Sequence, residues 1–143
     1  MTVTIDKRTI SSDAAFKAVG AAVEQGLAIG CRVNAAVVDA GGNLLAFRRA
    51  DGAFLHSIAI AQDKAYTAAG FGVSTSQLYE AVKEPPALRD GIMLRERLVL
   101  FGGGHPIVVD GEVVGGIGCS GASEEQDSLC ALAGLAAIGI AAR

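Results

Sequence analysis

The chain has 143 residues, 51% of them hydrophobic, and a formal net charge of −3. A chain of that length and apolar content supports one domain over residues 1–143 with a real core, and excludes a disordered polymer. The mildly acidic balance and an aromatic content of 5% argue against nucleic acid and anionic membrane as partners.

The first residues, MTVTIDKRTISSDAAF, carry no basic segment followed by an apolar run, so no secretory leader is expected. The uncharged stretch Ser128–Ala142 is shorter than the roughly 20 residues a membrane span needs, and reads as a buried helix. The three cysteines, Cys31, Cys119 and Cys130, lack C-x-x-C spacing. Together these features predict a cytoplasmic protein with reduced thiols packed as small hydrophobes.

Ser11-Ser12-Asp13 reads as a helix start, and Ala15, Ala18, Val19, Ala22, Val23 and Leu27 follow at helical spacing up to Gly30. Val33–Asp39 reads as a buried strand, Gly41-Gly42-Asn43 as a hairpin turn, and Leu44–Arg49 as the returning strand. A helix is expected from about Phe54 to Ala69. Ser74-Thr75-Ser76-Gln77 is a capping box opening another helix through Val82, which Pro85-Pro86 ends. Residues 87–96 read as either a short helix or a loop. Leu98–Phe101 is expected as a third strand, stopped by Gly102-Gly103-Gly104. Pro106–Val109 and Glu112–Cys119 flank Asp110-Gly111, a two-residue hairpin signal. Ser123-Glu124-Glu125-Gln126 opens the last helix. Strands joined by short turns imply an antiparallel sheet with helices packed on it, the α+β class.

Gly116-Ile117-Gly118-Cys119-Ser120-Gly121 matches G-x-G-x-x-G, but its strand belongs to a hairpin and no βαβ unit follows, which excludes a dinucleotide site. Two readings stay open for it: backbone N–H groups offered to an anion, with Ser120 adding a hydroxyl, or close strand–helix packing. Three consecutive glycines at 102–104 cost backbone entropy, which points to a close approach of the backbone to some group. His105, beside them, suits acid–base work or metal ligation, and is equally consistent with a solvated loop side chain. His56 reads as a packing residue, and the two histidines form no zinc pattern. Lys64 and Thr67 stand three apart on an Ala-rich helix. Lys64 either enters a pocket, pairing with a carboxylate or activating a carbonyl, or snorkels to the surface. Arg48, Arg49 and Asp51 end a strand, where recognition groups often sit. Asp127 stabilises the dipole of the last helix.

Taken together, AVVDAGGNLLAFRRADGAFLHSIAIAQDKAYTAAGF and FGGGHPIVVDGEVVGGIGCSGASEEQD resemble the GlcG/HbpS family, which includes the C-terminal domain of PduO-type proteins. The resemblance runs from about Ala14 to Ala137. It implies a profilin-like fold, with an antiparallel sheet of about five strands between helices, and a homo-oligomer, often an octamer. It further implies haem as a cofactor in some members, with haem degradation attributed to some; others are associated with glycolate, diol or corrinoid metabolism. Asp51, Gly52, Lys64, Thr67, Gly103, Gly104, Pro106, Gly118, Ser120, Gly121 and Asp127 match the family's recurring motif positions and are expected around a shared cleft. His105 stands where the resemblance does not require histidine, and is the candidate ligand to haem iron.

The expectation is therefore a cytoplasmic oligomer that binds haem or a related tetrapyrrole in a glycine-lined cleft. One alternative is a cofactor-free isomerase, lyase or hydrolase for a small carboxylated or carbonyl metabolite. It would use Lys64 or His105 for acid–base work and the 118–121 turn to hold a small anionic ligand. A second alternative is a non-catalytic accessory protein of a metabolic operon.

Overall fold

A computed structural model describes residues 1–142. The elements are α1 (Ser12–Ala28), β1 (Asn34–Asp39), β2 (Leu44–Arg49), α2 (Ser57–Phe71), α3 (Thr75–Val82), α4 (Pro86–Ile92), β3 (Gly104–Val109), β4 (Glu112–Ser120) and α5 (Glu124–Ala137). The local signals act as expected at the helix starts. Ser11 caps α1, while Ser74 and Ser123 form reciprocal capping boxes with Gln77 and Gln126. Pro86 enters at the start of α4, where its missing N–H costs nothing. The β3–β4 turn has φ of 51° at Asp110 and 80° at Gly111, the doubly positive pair of a tight hairpin.

The strands form one antiparallel sheet in the order β2-β1-β4-β3. This is four strands rather than about five, because Leu98–Phe101 stays outside the sheet. Its backbone is claimed instead by a helix side chain. Thr67 Oγ1 donates to the Arg97 carbonyl (2.9 Å) and accepts from the Val99 N–H (3.1 Å), which ties the segment to α2. β3 then begins at Gly104, two residues before the expected start at Pro106. It is an edge strand, so the missing N–H of Pro106 breaks no central ladder.

Alternation divides the side chains between two layers. Ala35, Val37, Ile107, Ile117 and Cys119 face α1 and α5, meeting Ala18, Val19, Ala22, Val23, Cys130, Ala131 and Leu135. Ala36 and Val38 face α2, meeting Ala61 and Ala65. On this second face β3 and β4 present Gly104, Gly116 and Gly118, so α2 settles directly on sheet backbone. A Cβ on Gly118 would collide with the Ala61 carbonyl and stand 2.6 Å from Ala65 N; one on Gly116 would stand 2.9 Å from Ala69 N. No helix among the described residues is long and apolar enough to cross a membrane.

Candidate functional site

Antiparallel pairing brings the start of β1, the end of β2, the end of β4 and the start of β3 to one end of the sheet. The loops there carry Asp51-Gly52, Gly102–Gly104 and Gly121, so residues distant in sequence collect in one region. α5 starts from the same end with Asp127 in its first turn.

Lys64 crosses from α2 into this region and is fully buried. Its Nζ donates to the Cys119 carbonyl (2.9 Å) and to Asp127 Oδ2 (3.0 Å), and lies 5.0 Å from the centre of the Phe101 ring. Asp127 Oδ1 accepts from the Ala122 N–H (2.9 Å). Burial pushes the Asp127 carboxyl above its ordinary range; the Lys64 ammonium and the N–H groups of Ala122 and Gly121 pull it back in part. The N–H groups of the glycine turn are thus already engaged by a carboxylate belonging to the chain.

The glycine triplet wraps this ion pair. At Gly103, where φ is +123°, a Cβ would stand 2.7 Å from Lys64 Nζ and 2.9 Å from the Asp127 Cβ. Only a residue without a side chain lets the loop close there. Gly102 N donates to Glu124 Oε1 (2.7 Å), Gly104 N to Thr75 Oγ1 (3.1 Å), and Cys119 N to the Gly103 carbonyl (2.9 Å).

His105 pairs with Ile117 and so faces the α1/α5 layer. It is 9% exposed, its Nε2 is 2.7 Å from Ser128 Oγ, and its Nδ1 has no partner among the described residues. A buried N–H without an acceptor is rarer than an unpaired lone pair, so the arrangement favours Nε2–H donating to Ser128. Ser128 in turn lines an open groove of about 450 Å³ with Ser76, Gly102, Glu124, Glu125 and Leu129. A larger hollow, about 530 Å³, lies at the opposite end of the sheet between the β3–β4 turn and residues 139–142, and holds none of these side chains.

Burial holds the His105 imidazole below its ordinary value of 6.5. The unfolded chain therefore takes up this proton first as pH falls. The stability that neutral His105 contributes is complete above about pH 6.5 and is lost as pH drops through the folded value. Melting temperatures from pH 7.5 to 5 should fall more steeply for the wild type than for His105→Asn; parallel curves would rule the effect out.

The remaining expected residues are distributed as follows. Thr67 serves the 97–99 segment. Gly104, Pro106 and Gly118 lie on the face toward α2, and Ser120 lies there beside buried Asn34. Asn34 Nδ2 donates to the Phe54 carbonyl (3.2 Å), and its Oδ1 has no partner among the described residues. Gly121, at φ +144°, packs on the Arg32 carbonyl. Asp51 belongs to a separate cleft, with Gly52 packed on Arg32 beside it. His56 is exposed at the N-cap of α2. Ser128, Asn34 and Arg32 belong to no local spacing pattern, and Thr75 and Glu124 stand out in the sequence only as interior positions of capping boxes, not as site residues. Burial raises the thiols of Cys119 and Cys130, the latter to about 11, which fits packing residues rather than nucleophiles. Among the described residues no cluster of His, Cys, Asp and Glu is arranged to hold a metal ion.

A family model described as haem-degrading protein HbpS-like matches residues 10–136. An uncharacterized 15.0 kDa protein from the dhaT–dhaS intergenic region of Citrobacter freundii is 42% identical over 125 residues, covering 86% of this chain and 87% of that one. The crystal structure of Klebsiella pneumoniae protein ORFY matches with a TM-score of 0.91 at 32% identity, over 97% of each chain. The crystal structure of a PduOC:haem complex matches with a TM-score of 0.85 at 34% identity, over 94% of this chain and 99% of that one.

Proposed function

Because this chain belongs to the HbpS-like family, we propose that it binds haem or a related tetrapyrrole in the groove beside Gly102. The observation that carries this reading is the His105–Ser128 pair on the groove wall: a buried imidazole with one unsatisfied nitrogen stands directly behind an accessible hydroxyl. The likeness to the PduOC:haem complex supports it. The groove's volume of about 450 Å³ suits a small-molecule ligand. Leu129 and Phe101, both about half exposed, bring apolar surface to the same region for a flat macrocycle to cover. Haem bound there would supply an iron centre for ligand binding or electron transfer. Ser128 would present its oxygen, oriented by the proton that His105 would hold at Nε2.

Lys64 has no acid–base part in this reading, because Asp127 and the Cys119 carbonyl hold its ammonium. Assembly into a homo-oligomer, up to an octamer, belongs to the proposal. Exposed Phe16, Phe71, Met93 and Leu94 support it as apolar surface available for burial between copies, and light scattering on the same sample reads the mass.

Titration with haemin is expected to give a saturable Soret band. His105→Ala and Ser128→Ala should each shift that band or weaken binding by about tenfold, roughly 1.4 kcal/mol, and His56→Ala should leave it in place. Absence of saturation overturns the reading. Loss of the band in His56→Ala alone would move the iron contact to the start of α2.

A further inference from the structure

We propose that a second cleft, between the last turn of α1 and the end of β2, binds a small molecule bearing a carboxylate or phosphate, with Arg32 and Arg49 as its anion-holding pair. The cleft has a volume of about 360 Å³ and is walled by Val23, Leu27, Arg32, Arg48, Arg49 and Asp51. Three arginines therefore line one small space.

Their commitments differ. Arg48 Nη1 is 3.0 Å from Glu24 Oε1 and donates to the Gly20 carbonyl (3.4 Å), so its charge is already matched. Arg49 Nη2 donates to the Ala53 carbonyl (2.8 Å), a neutral acceptor that orients the group and leaves its charge unmatched. Arg32 packs against Gly52, where a Cβ would stand 2.6 Å from Nη1 and where φ is +79°. Among the described residues no carboxylate lies within 4.0 Å of Arg32 or Arg49. Against three guanidiniums stand only the carboxylates of Glu24 and Asp51, so the cleft keeps an excess of positive charge.

A guanidinium carries five donors in a planar fork that matches two oxygens of a carboxylate or phosphate. One of those donors on Arg49 is engaged, and none on Arg32 has an acceptor among the described residues. Leu27, about half exposed, adds apolar surface next to the charged pair. That combination favours an organic acid or phosphate ester with a short carbon body over a bare ion. The groove beside Gly102 is unlike it, since Glu124 and Glu125 rather than arginines line that groove. This second site therefore stands or falls independently of haem.

The experiment is a two-dimensional NMR titration of the whole chain at low ionic strength, first with inorganic phosphate and then with succinate. Saturable shifts confined to residues around 23–32 and 48–53 are expected. Arg32→Gln, which removes a side chain with no hydrogen bond of its own, should weaken binding about tenfold, as loss of a charge-assisted bidentate contact does. Arg32→Gln with Arg49→Gln should abolish it, with the spectrum otherwise that of the folded protein. Should Arg49→Gln fail to fold, Arg32→Gln alone decides the matter. Stronger binding of phosphate assigns a phosphoryl ligand, and stronger binding of succinate a carboxylate. No saturable shift with either probe, or unchanged affinity in Arg32→Gln, overturns the proposal.

Discussion

Lys64→Ala is expected to lower the free energy of unfolding by about 3–5 kcal/mol, the usual cost of stranding one partner of a buried ion pair. Both partners are almost wholly buried, with side-chain exposures of 1% for Lys64 and 4% for Asp127. Removing the ammonium leaves the Asp127 carboxylate buried without its cation, and the Cys119 carbonyl also loses its donor. Burial already raises the Asp127 carboxyl, and loss of Lys64 removes the main force lowering it. The variant should therefore recover part of its stability as pH falls and Asp127 takes up a proton, and by more than the wild type, in which Lys64 holds the same carboxyl lower. Lys64→Met combined with Asp127→Asn should restore most of the loss, because a buried pair replaced as a unit leaves no stranded charge. Urea unfolding at two pH values measures all three proteins. A loss below about 1 kcal/mol in Lys64→Ala would mean that the pair is solvated and the site differently built.

Gly118→Ala should be nearly as costly despite adding one methyl group. That carbon would meet the Ala61 carbonyl oxygen, Ala65 N at 2.6 Å and the Lys64 Cβ at 2.9 Å. Backbone atoms of a helix cannot yield as the tip of a side chain can, so α2 must lift as a body. The expected loss is at or above the upper end of the usual overpacking range, about 3 kcal/mol. The displacement also drags Lys64 from Asp127, so the haemin spectrum should change with the stability. Gly20→Ala is the matched control. Nothing lies within 4 Å of its added carbon, and it sits inside α1. There the same substitution should stabilise by about 0.5–1 kcal/mol. Equal melting temperatures for Gly118→Ala and the wild type would refute the direct seating of α2 on the sheet.

Elements whose cause is local were legible in the sequence. The caps at Ser11, Ser74 and Ser123, the Asp110-Gly111 turn and the continuous apolar run of β1 each lie within a few residues of what they determine. Leu98–Phe101 misled because its composition suits a strand, whereas its fate depends on one hydroxyl at Thr67, about thirty residues earlier. The start of α2 lies later than its residue types suggest, for a related reason. Phe54, Leu55 and His56 look helical by residue type but form a turn ahead of Ser57.

The site was legible in its parts and not in its pairings. Three glycines in a row announced that the backbone approaches something, but what it approaches is an ion pair whose members lie 63 positions apart. Lys64 was readable as a residue that either pairs with a carboxylate or reaches the surface, and Asp127 as a helix-start acid. No periodicity joins the two. His105 and Ser128 meet only because β3 runs under α5. The G-x-G-x-x-G spacing had two open readings, and Gly116 and Gly118 follow the second, close packing against α2.

The seating of α2 on bare glycine backbone has a mechanical consequence. A helix held off a sheet by large side chains can slide or roll by small amounts as those side chains change rotamer. Here the ridges of α2 at Ala61, Ala65 and Ala69 rest in notches cut by the missing side chains of Gly118 and Gly116. Moving by one residue along its axis, about 1.5 Å, would drive an alanine methyl out of its notch and into a neighbouring strand atom. The helix is keyed in both rotation and translation. It carries Lys64 at a fixed height above the end of the sheet, so the glycine turns close around a charge whose position is set by the frame rather than by the loops themselves.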